Sequence, residues 1–319
     1  MNNKLITTIG KVLLLALFSV SIATAQDVAF FSKINGSVKI TDANGKEKKA
    51  TTSTKLTDGD KVTTGTDGSA TIMYYTGKEV VLGAKKFHTV KKKQEESSFL
   101  SGLYSTLSGL VWGQSSDASM AGATRAWAGD ANRMITATYP SETKILEAEP
   151  VFKWADHRKV AGKDFIVTIK SEISDFKYDI NVSGVNEVAY PKTAPKLKVE
   201  EKYVWTVKDA SGADVSPAVK FSLIDPSESE NMADDLKEIQ KVCNNDITNP
   251  QWYLLTAALY RDYGLMRQAE TAIQNLIQLK PDMAQARIML ATLYKETGRL
   301  EEAKIEEEAA RKLSETPAK

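Results

Sequence analysis

The sequence predicts a multidomain α+β protein: an N-terminal all-β roll or sandwich, a second β-sandwich, and a C-terminal all-α solenoid of helical repeats. Three observations predict it. The chain has 319 residues, more than the ~100–200 of a single domain. Short runs rich in Val, Ile, Thr and Tyr, separated by Gly and Asp turns, fill residues 27–92 and return from Leu146. The last third shifts to helical spacing and repeats itself: Ala257 with Ala291, Tyr260 with Tyr294, Gly264 with Gly298 and Ala269 with Ala303, each pair 34 residues apart.

Residues 1–25 read as a signal peptide. Lys4 and Lys11 precede an apolar run of 11 residues, Val12 to Ile22, too short for the ~20 that span a bilayer. Ala23 and Ala25 then form an A-x-A cleavage pattern, with no Cys to accept a lipid. The expected product is an exported protein, periplasmic or cell-surface, with no transmembrane span in the mature chain. Removing the leader takes two lysines and no acids, which leaves 40 basic against 41 acidic residues, net −1. That balance gives no footprint for nucleic acid. Cys243 is the single cysteine, so no intramolecular disulfide forms; beside Val242 it reads as a helix-packing residue.

Residues 27–92 carry the strand runs "GSVKIT", "DKVTT", "SATIMYY" and "KEVVLG". Turn signals separate them: Asn44-Gly45, Asp58-Gly59-Asp60, Asp67-Gly68 and Thr76-Gly77. Asp58 and Asp60 hint at a Ca²⁺ loop, but further oxygen ligands are missing at the needed positions, so they read as turn residues. The stretch "LTDGDKVTTGTDGSATIMYYTGKEVVLGAKK" resembles the FecR-type domain. In the regulators that name the family, that domain relays a signal from the outer membrane through a membrane helix. Here no such helix is evident, so a sensory role would need a membrane partner.

Residues 93–145 read as an amphipathic helix followed by a linker. Phe99, Leu100, Leu103, Tyr104, Leu107, Leu110 and Val111 recur at three and four, one face of a helix near 98–112. That stripe is expected to pack on the β domain; the alternative is a helix for a partner or a membrane surface. "GQSSDASMAGATRAWAGDAN" follows, small and polar, as a linker or loop.

Residues 146–225 return to strands: "EPVFKWADH", "DFIVTIKS", "FKYDINVS", "PKLKVEE", "KYVWTVKDASGAD" and "VKFSLID". Phe165, Val167 and Ile169 alternate inward, as do Tyr203, Trp205 and Val207 or their complement. With Pro150, Phe152 and Trp154 in "P-x-F-x-W", the segment resembles an Ig-like or fibronectin-type sandwich. Its aromatics are expected in the core; exposed Trp154 or Trp205 would instead suggest a platform for glycan.

Residues 226–319 begin with "MADDLKEIQKVC", a packing helix, and continue with two repeats at about 250–283 and 284–317. Each runs from a helix to a Gly turn and a second helix; the small residues let the helices approach and Gly supplies the turn. The pattern resembles the tetratricopeptide repeat at its small-residue, Tyr, Gly, Ala and Pro281 positions, departing at Thr256 and Glu307. Glu307 marks the end of the array, whose last helix needs a polar outer face. The resemblance implies a concave groove lined by the first helix of each pair: Gln251, Leu254, Arg261 and Asp262 stacked on Gln285, Ile288, Lys295 and Glu296. Arg261 above Lys295 could grip a carboxylate-bearing peptide; alternatively each base pairs with an acidic neighbour on a solvated face.

Catalytic patterns are absent. His88 and His157 sit in different domains, which argues against a His-based metal site or triad. No phosphate loop, "GxSxG" or "HExxH" occurs. The expectation is a non-enzymatic envelope adaptor that holds a protein partner in its helical groove and needs no cofactor or metal. The rivals are a sensory component with a membrane partner and a glycan- or peptidoglycan-binding module.

Overall fold

The computed structural model describes residues 27–92, 97–114, 134–158 and 164–315. Residues 1–25, expected as a signal peptide, lie outside these residues, as does 115–132 of the small, polar stretch expected after the helix. The architecture is mixed α+β: sixteen strands among the described residues, a helix set between them, then five helices.

Eight strands form the first unit: β1 (Asp27–Asn35), β2 (Val38–Thr41), β3 (Glu47–Lys49), β4 (Lys55–Thr57), β5 (Lys61–Thr64), β6 (Ser69–Tyr74), β7 (Glu79–Leu82) and β8 (Phe87–Thr89). They pair into two antiparallel sheets, ordered β4-β1-β6-β7 and β3-β2-β5-β8. Phe31, Ile72, Ile40, Leu56 and Val62 fill the space between. The expected turns appear where Gly can take positive φ, at Gly45 (80°), Gly59 (87°) and Gly77 (77°). The side chain of Asp60 accepts from Thr57 N at 2.8 Å, and that of Asp58 from Lys92 N at 2.7 Å, so both brace loops.

Successive residues of a strand point to opposite faces. In β1, Phe31 therefore enters the inter-sheet core while Phe30 points outward, and in β6 Ile72 turns inward and Met73 outward. The outward set is fully buried all the same, because α1 (Ser98–Val111) lies over it. Ser97 caps α1 by accepting from Leu100 N at 3.3 Å. The expected stripe is buried at Leu100, Leu103, Tyr104, Leu107, Leu110 and Val111.

The second β unit has β9 (Ile135–Tyr139), β10 (Thr143–Ile145), β11 (Val151–Asp156), β12 (Asp164–Ser171), β13 (Lys177–Ser183), β14 (Glu187–Ala189), β15 (Lys202–Asp209) and β16 (Val219–Leu223). Its sheets run β10-β16-β15-β12-β13 and β14-β11-β9, antiparallel except for the parallel pair β10–β16. Phe165, Val167, Ile169, Tyr203, Trp205 and Val207 all enter its core. Trp154 and Trp205 are 4% and 0% exposed, and Trp205 Nε1 donates to Pro140 O at 2.6 Å, so neither forms a surface platform. The unit starts earlier than the expected boundary at Leu146: β9 and β10 fall within the stretch assigned to the linker. "ITATY" alternates buried Ile135 and Ala137 with Thr, a weak but genuine strand pattern. "PKLKVEE" is not a strand; Pro195 opens it without a ladder donor, and β14 takes the edge upstream.

The helices are α2 (Pro226–Val242), α3 (Pro250–Asp262), α4 (Met266–Leu279), α5 (Ala284–Glu296) and α6 (Leu300–Glu315). Helices α3–α4 and α5–α6 are two hairpins displaced by the 34 residues seen in the sequence. Gly264 and Gly298 hold φ of 74° and 77° at their turns, and Ala257, Ala291, Ala269 and Ala303 are all buried between helices. Cys243 is 1% exposed at the end of α2; burial, then Asp246, pushes its thiol up to about 11, in keeping with a packing residue. Phe30, Met73 and Tyr75 of the first unit, the stripe of α1 and the inner faces of α2–α6 form one continuous core.

Candidate functional site

The groove residues face the chain's own N-terminal half. Leu254 is fully buried in the shared core. Arg261 Nε and Nη2 donate to Glu296 at 3.1 and 2.5 Å, while its Nη1 and Nη2 reach Thr106 O and Gln114 O around α1 at 3.4 and 3.2 Å. Glu296 is 0% exposed. Asp262 accepts from Thr106 Oγ1 at 2.7 Å. Gln285, 1% exposed, donates Nε2 to Thr52 O at 2.6 Å. Ile288 and Thr292 lie beside Gly113 at the end of α1: a Cβ built there would sit 3.7 Å from Ile288 and 3.8 Å from Thr292. Gln251 packs so closely on the Gly77 turn that a Cβ on Gly77 would lie 2.0 Å from its side chain. Lys295 turns away to pair with Glu307 of α6.

Arg261 and Lys295 are not set side by side toward a common carboxylate ligand. Two cations on stacked helices repel, and each has found its own carboxylate: Arg261 the buried Glu296, Lys295 the terminal Glu307. Each base thus pairs with an acid, as the alternative reading has it, but the face with Arg261 is covered rather than solvated. Among the described residues its occupant is α1, wedged between the helical hairpins and the first β unit.

A polar cluster that the sequence did not indicate ties α1 to β1. Asp27 accepts from Ser108 Oγ at 2.9 and 3.1 Å, from Trp112 Nε1 at 2.7 Å, and from the Tyr75 hydroxyl. Lys55 Nζ stands 5.5 Å from the centre of the Trp112 ring. Burial pushes the Asp27 carboxyl up, but the three donors and Lys55 outweigh it and hold the group below the ordinary 3.8. Burial, then Asp27 itself, drives the Tyr75 phenol well above 10, so it stays protonated as a donor. A depressed folded-state value means stabilisation present above the ordinary pKa and lost as pH falls through the folded value. Acidification below pH 3.8 is therefore expected to loosen α1, read as a change in Trp112 near-UV dichroism, while Asp27→Asn removes that acid-sensitive step.

The histidines are not brought together. His88 Nε2 bonds the Tyr74 hydroxyl at 2.8 Å, and burial, then Lys78, lowers its pKa; His157 lies exposed after β11.

Clefts open where the units meet. One of about 480 Å³ lies between α3, α4 and the second β unit, lined by Tyr139, Trp252, Tyr253, Tyr260 and Arg267 among others. A neighbour of about 870 Å³ shares Tyr139 and Arg267. Arg267 stacks on Tyr139 at 4.7 Å.

No protein family and no curated protein matches the chain. Among solved structures, a chain described as "Cell surface anchoring domain" is 30% identical, with 21% of this chain and 87% of that one covered and a TM-score of 0.20. Another, "pT26-6p", is 13% identical over 54% of this chain and 46% of its own, with a TM-score of 0.12. At these scores the overlap says nothing about fold or role.

Proposed function

We propose that the chain is an exported, non-enzymatic scaffold of the cell envelope, an adaptor built from a FecR-like β unit, an Ig-like sandwich and a tetratricopeptide-type array. In this reading the array has taken α1 as the resident of its groove, and the three units present their outer surfaces and seams to a protein partner. The observation that carries it is the contact of Arg261: one guanidinium fastens α5 and the last turns of α1 to α3. An array whose concave side holds part of its own chain acts first as a clamp that fixes the relative placement of the other units. The ionisable groups gathered at that junction are occupied in holding it, Asp27 by Ser108, Tyr75 and Trp112, and Glu296 by Arg261, which supports a binding rather than a catalytic role. Among the described residues no helix is long and apolar enough to cross a membrane.

The test uses the tagged full chain expressed in its own host, with fractionation, N-terminal sequencing and cross-linked capture from the envelope. Expected are a mature N-terminus at Gln26, recovery outside the cytosol and capture of a discrete protein partner. Solely cytosolic chain, or soluble monomer with no partner, overturns the reading.

A further inference from the structure

The cleft between α3, α4 and the second β unit differs from the seam that holds α1. On α3, Trp252, Thr256 and Tyr260 follow one another at four residues, and Tyr253 stands beside them. On α4 the facing row is Gln268, Thr271 and Asn275. Thr256 and Ala272 are small and buried, which lets the cleft sink between the helices. Glu147, Glu149 and Pro150 of the second β unit form the far wall.

Its rings pack partly on the hydrophobic cores, but the polar ends of those on α3 are not tied down. Elsewhere in the array, Tyr263 donates to Asp235 at 2.7 Å and Tyr294 to Glu270 at 3.1 Å. Trp252, Tyr253 and Tyr260 are half-buried, and their polar ends make no hydrogen bond to another described residue. Burial alone raises the Tyr260 phenol. Nor does the repeat demand rings at the first two positions: 34 residues on stand Ala286 and Arg287. The side chains of Gln268, Asn275, Glu147 and Glu149 likewise bond no other described residue.

We propose that this seam is a saccharide-binding site for a neutral, extended oligosaccharide. A sugar ring has an apolar C–H face and a rim of hydroxyls that both donate and accept. Rings on one wall, with carboxylates, amides and a guanidinium around them, match that pattern. The volume of about 480 Å³ falls inside the roughly 300–1,000 Å³ of small-ligand sites. Glu147 and Glu149 outnumber Arg267, which disfavours a polyanion. The neighbouring cleft continues past the shared Tyr139–Arg267 stack, so a chain of several sugars can lie along both. In that second lobe the buried indole N–H of Trp154 bonds no other described residue. None of these residues holds α1, so the site stands or falls independently of the scaffold reading.

The experiment is calorimetric titration of the mature full chain with cellotetraose, chitotetraose and a proline-rich decapeptide, since polyproline segments also use aromatic grooves. The expected result is saturable binding of at least one tetrasaccharide, weakened roughly tenfold or more by Trp252→Ala and by Asn275→Ala. Asn275→Ala removes one amide from a half-buried surface position and carries the test should Trp252→Ala unfold. Binding of the peptide alone, no tetrasaccharide binding up to about 10 mM, or unchanged affinity in the folded variants overturns the proposal.

Discussion

Arg261→Ala is expected to lower folding stability by about 3–5 kcal/mol, the usual consequence of stripping the partner from a buried ion pair. Glu296 is 0% exposed and receives two hydrogen bonds from the guanidinium. Its charge cannot move into water when the guanidinium is removed. The carbonyls of Thr106 and Gln114 lose their donor in the same step, so the effect reaches α1. Arg261→Lys keeps the charge but not the planar fork, and falls between wild type and Ala. Urea denaturation followed by far-UV dichroism measures the difference. A loss under about 1 kcal/mol, the range of exposed pairs, would show that the pair is solvated and the clamp does not depend on it.

Leu107→Asp is the second large effect. Leu107 is fully buried within the core shared by β1, β6, α1 and the helical array. Leu107→Ala would cost about 2–5 kcal/mol through lost transfer energy and an unfilled cavity. The aspartate adds several more by placing a carboxylate in an apolar core. The neighbouring Ser105 is exposed, so Ser105→Asp on the same helix controls for helix propensity and charge and should leave stability within about 0.5 kcal/mol. Hydrogen exchange localises the change: in Leu107→Asp, amides of α1 and the outer face of β1 exchange together before those of the second β unit. Uniform exchange throughout the chain would mean that α1 does not form a separable clamp.

The parts of this architecture written in local pattern were legible. Gly264 and Gly298 announced both helical turns because few other residues hold positive φ at a helix end. The alternation of Phe165, Val167 and Ile169 named a buried face because a strand has a period of two. Helical register could place Leu254, Arg261 and Gln285 on one side of the array, but no local pattern states which distant segment will lie against a face. One signal did exist. "AFF" in β1 and "IMY" in β6 break the alternation of a half-exposed sheet, and an unbroken apolar run means cover on both sides. Read with the stripe of α1, it indicates a third layer. Asp27 gave no such sign; its role comes from Tyr75, Ser108 and Trp112, which meet only once the chain has folded. The aromatic cleft was equally hidden, because Tyr139 and Trp252 belong to different units joined by tertiary packing alone.

The shared core is assembled from residues near both ends of the sequence, with the second β unit inserted between them. Ribosomes deliver Phe30 and Leu107 well before Leu254 and Met289 exist to receive them. Until the final hairpins emerge, the outer side of β1 and the stripe of α1 are greasy surfaces exposed to other newly made chains. Contacts spanning so much sequence also slow the search for them. Chains truncated before α5 should therefore be prone to aggregation.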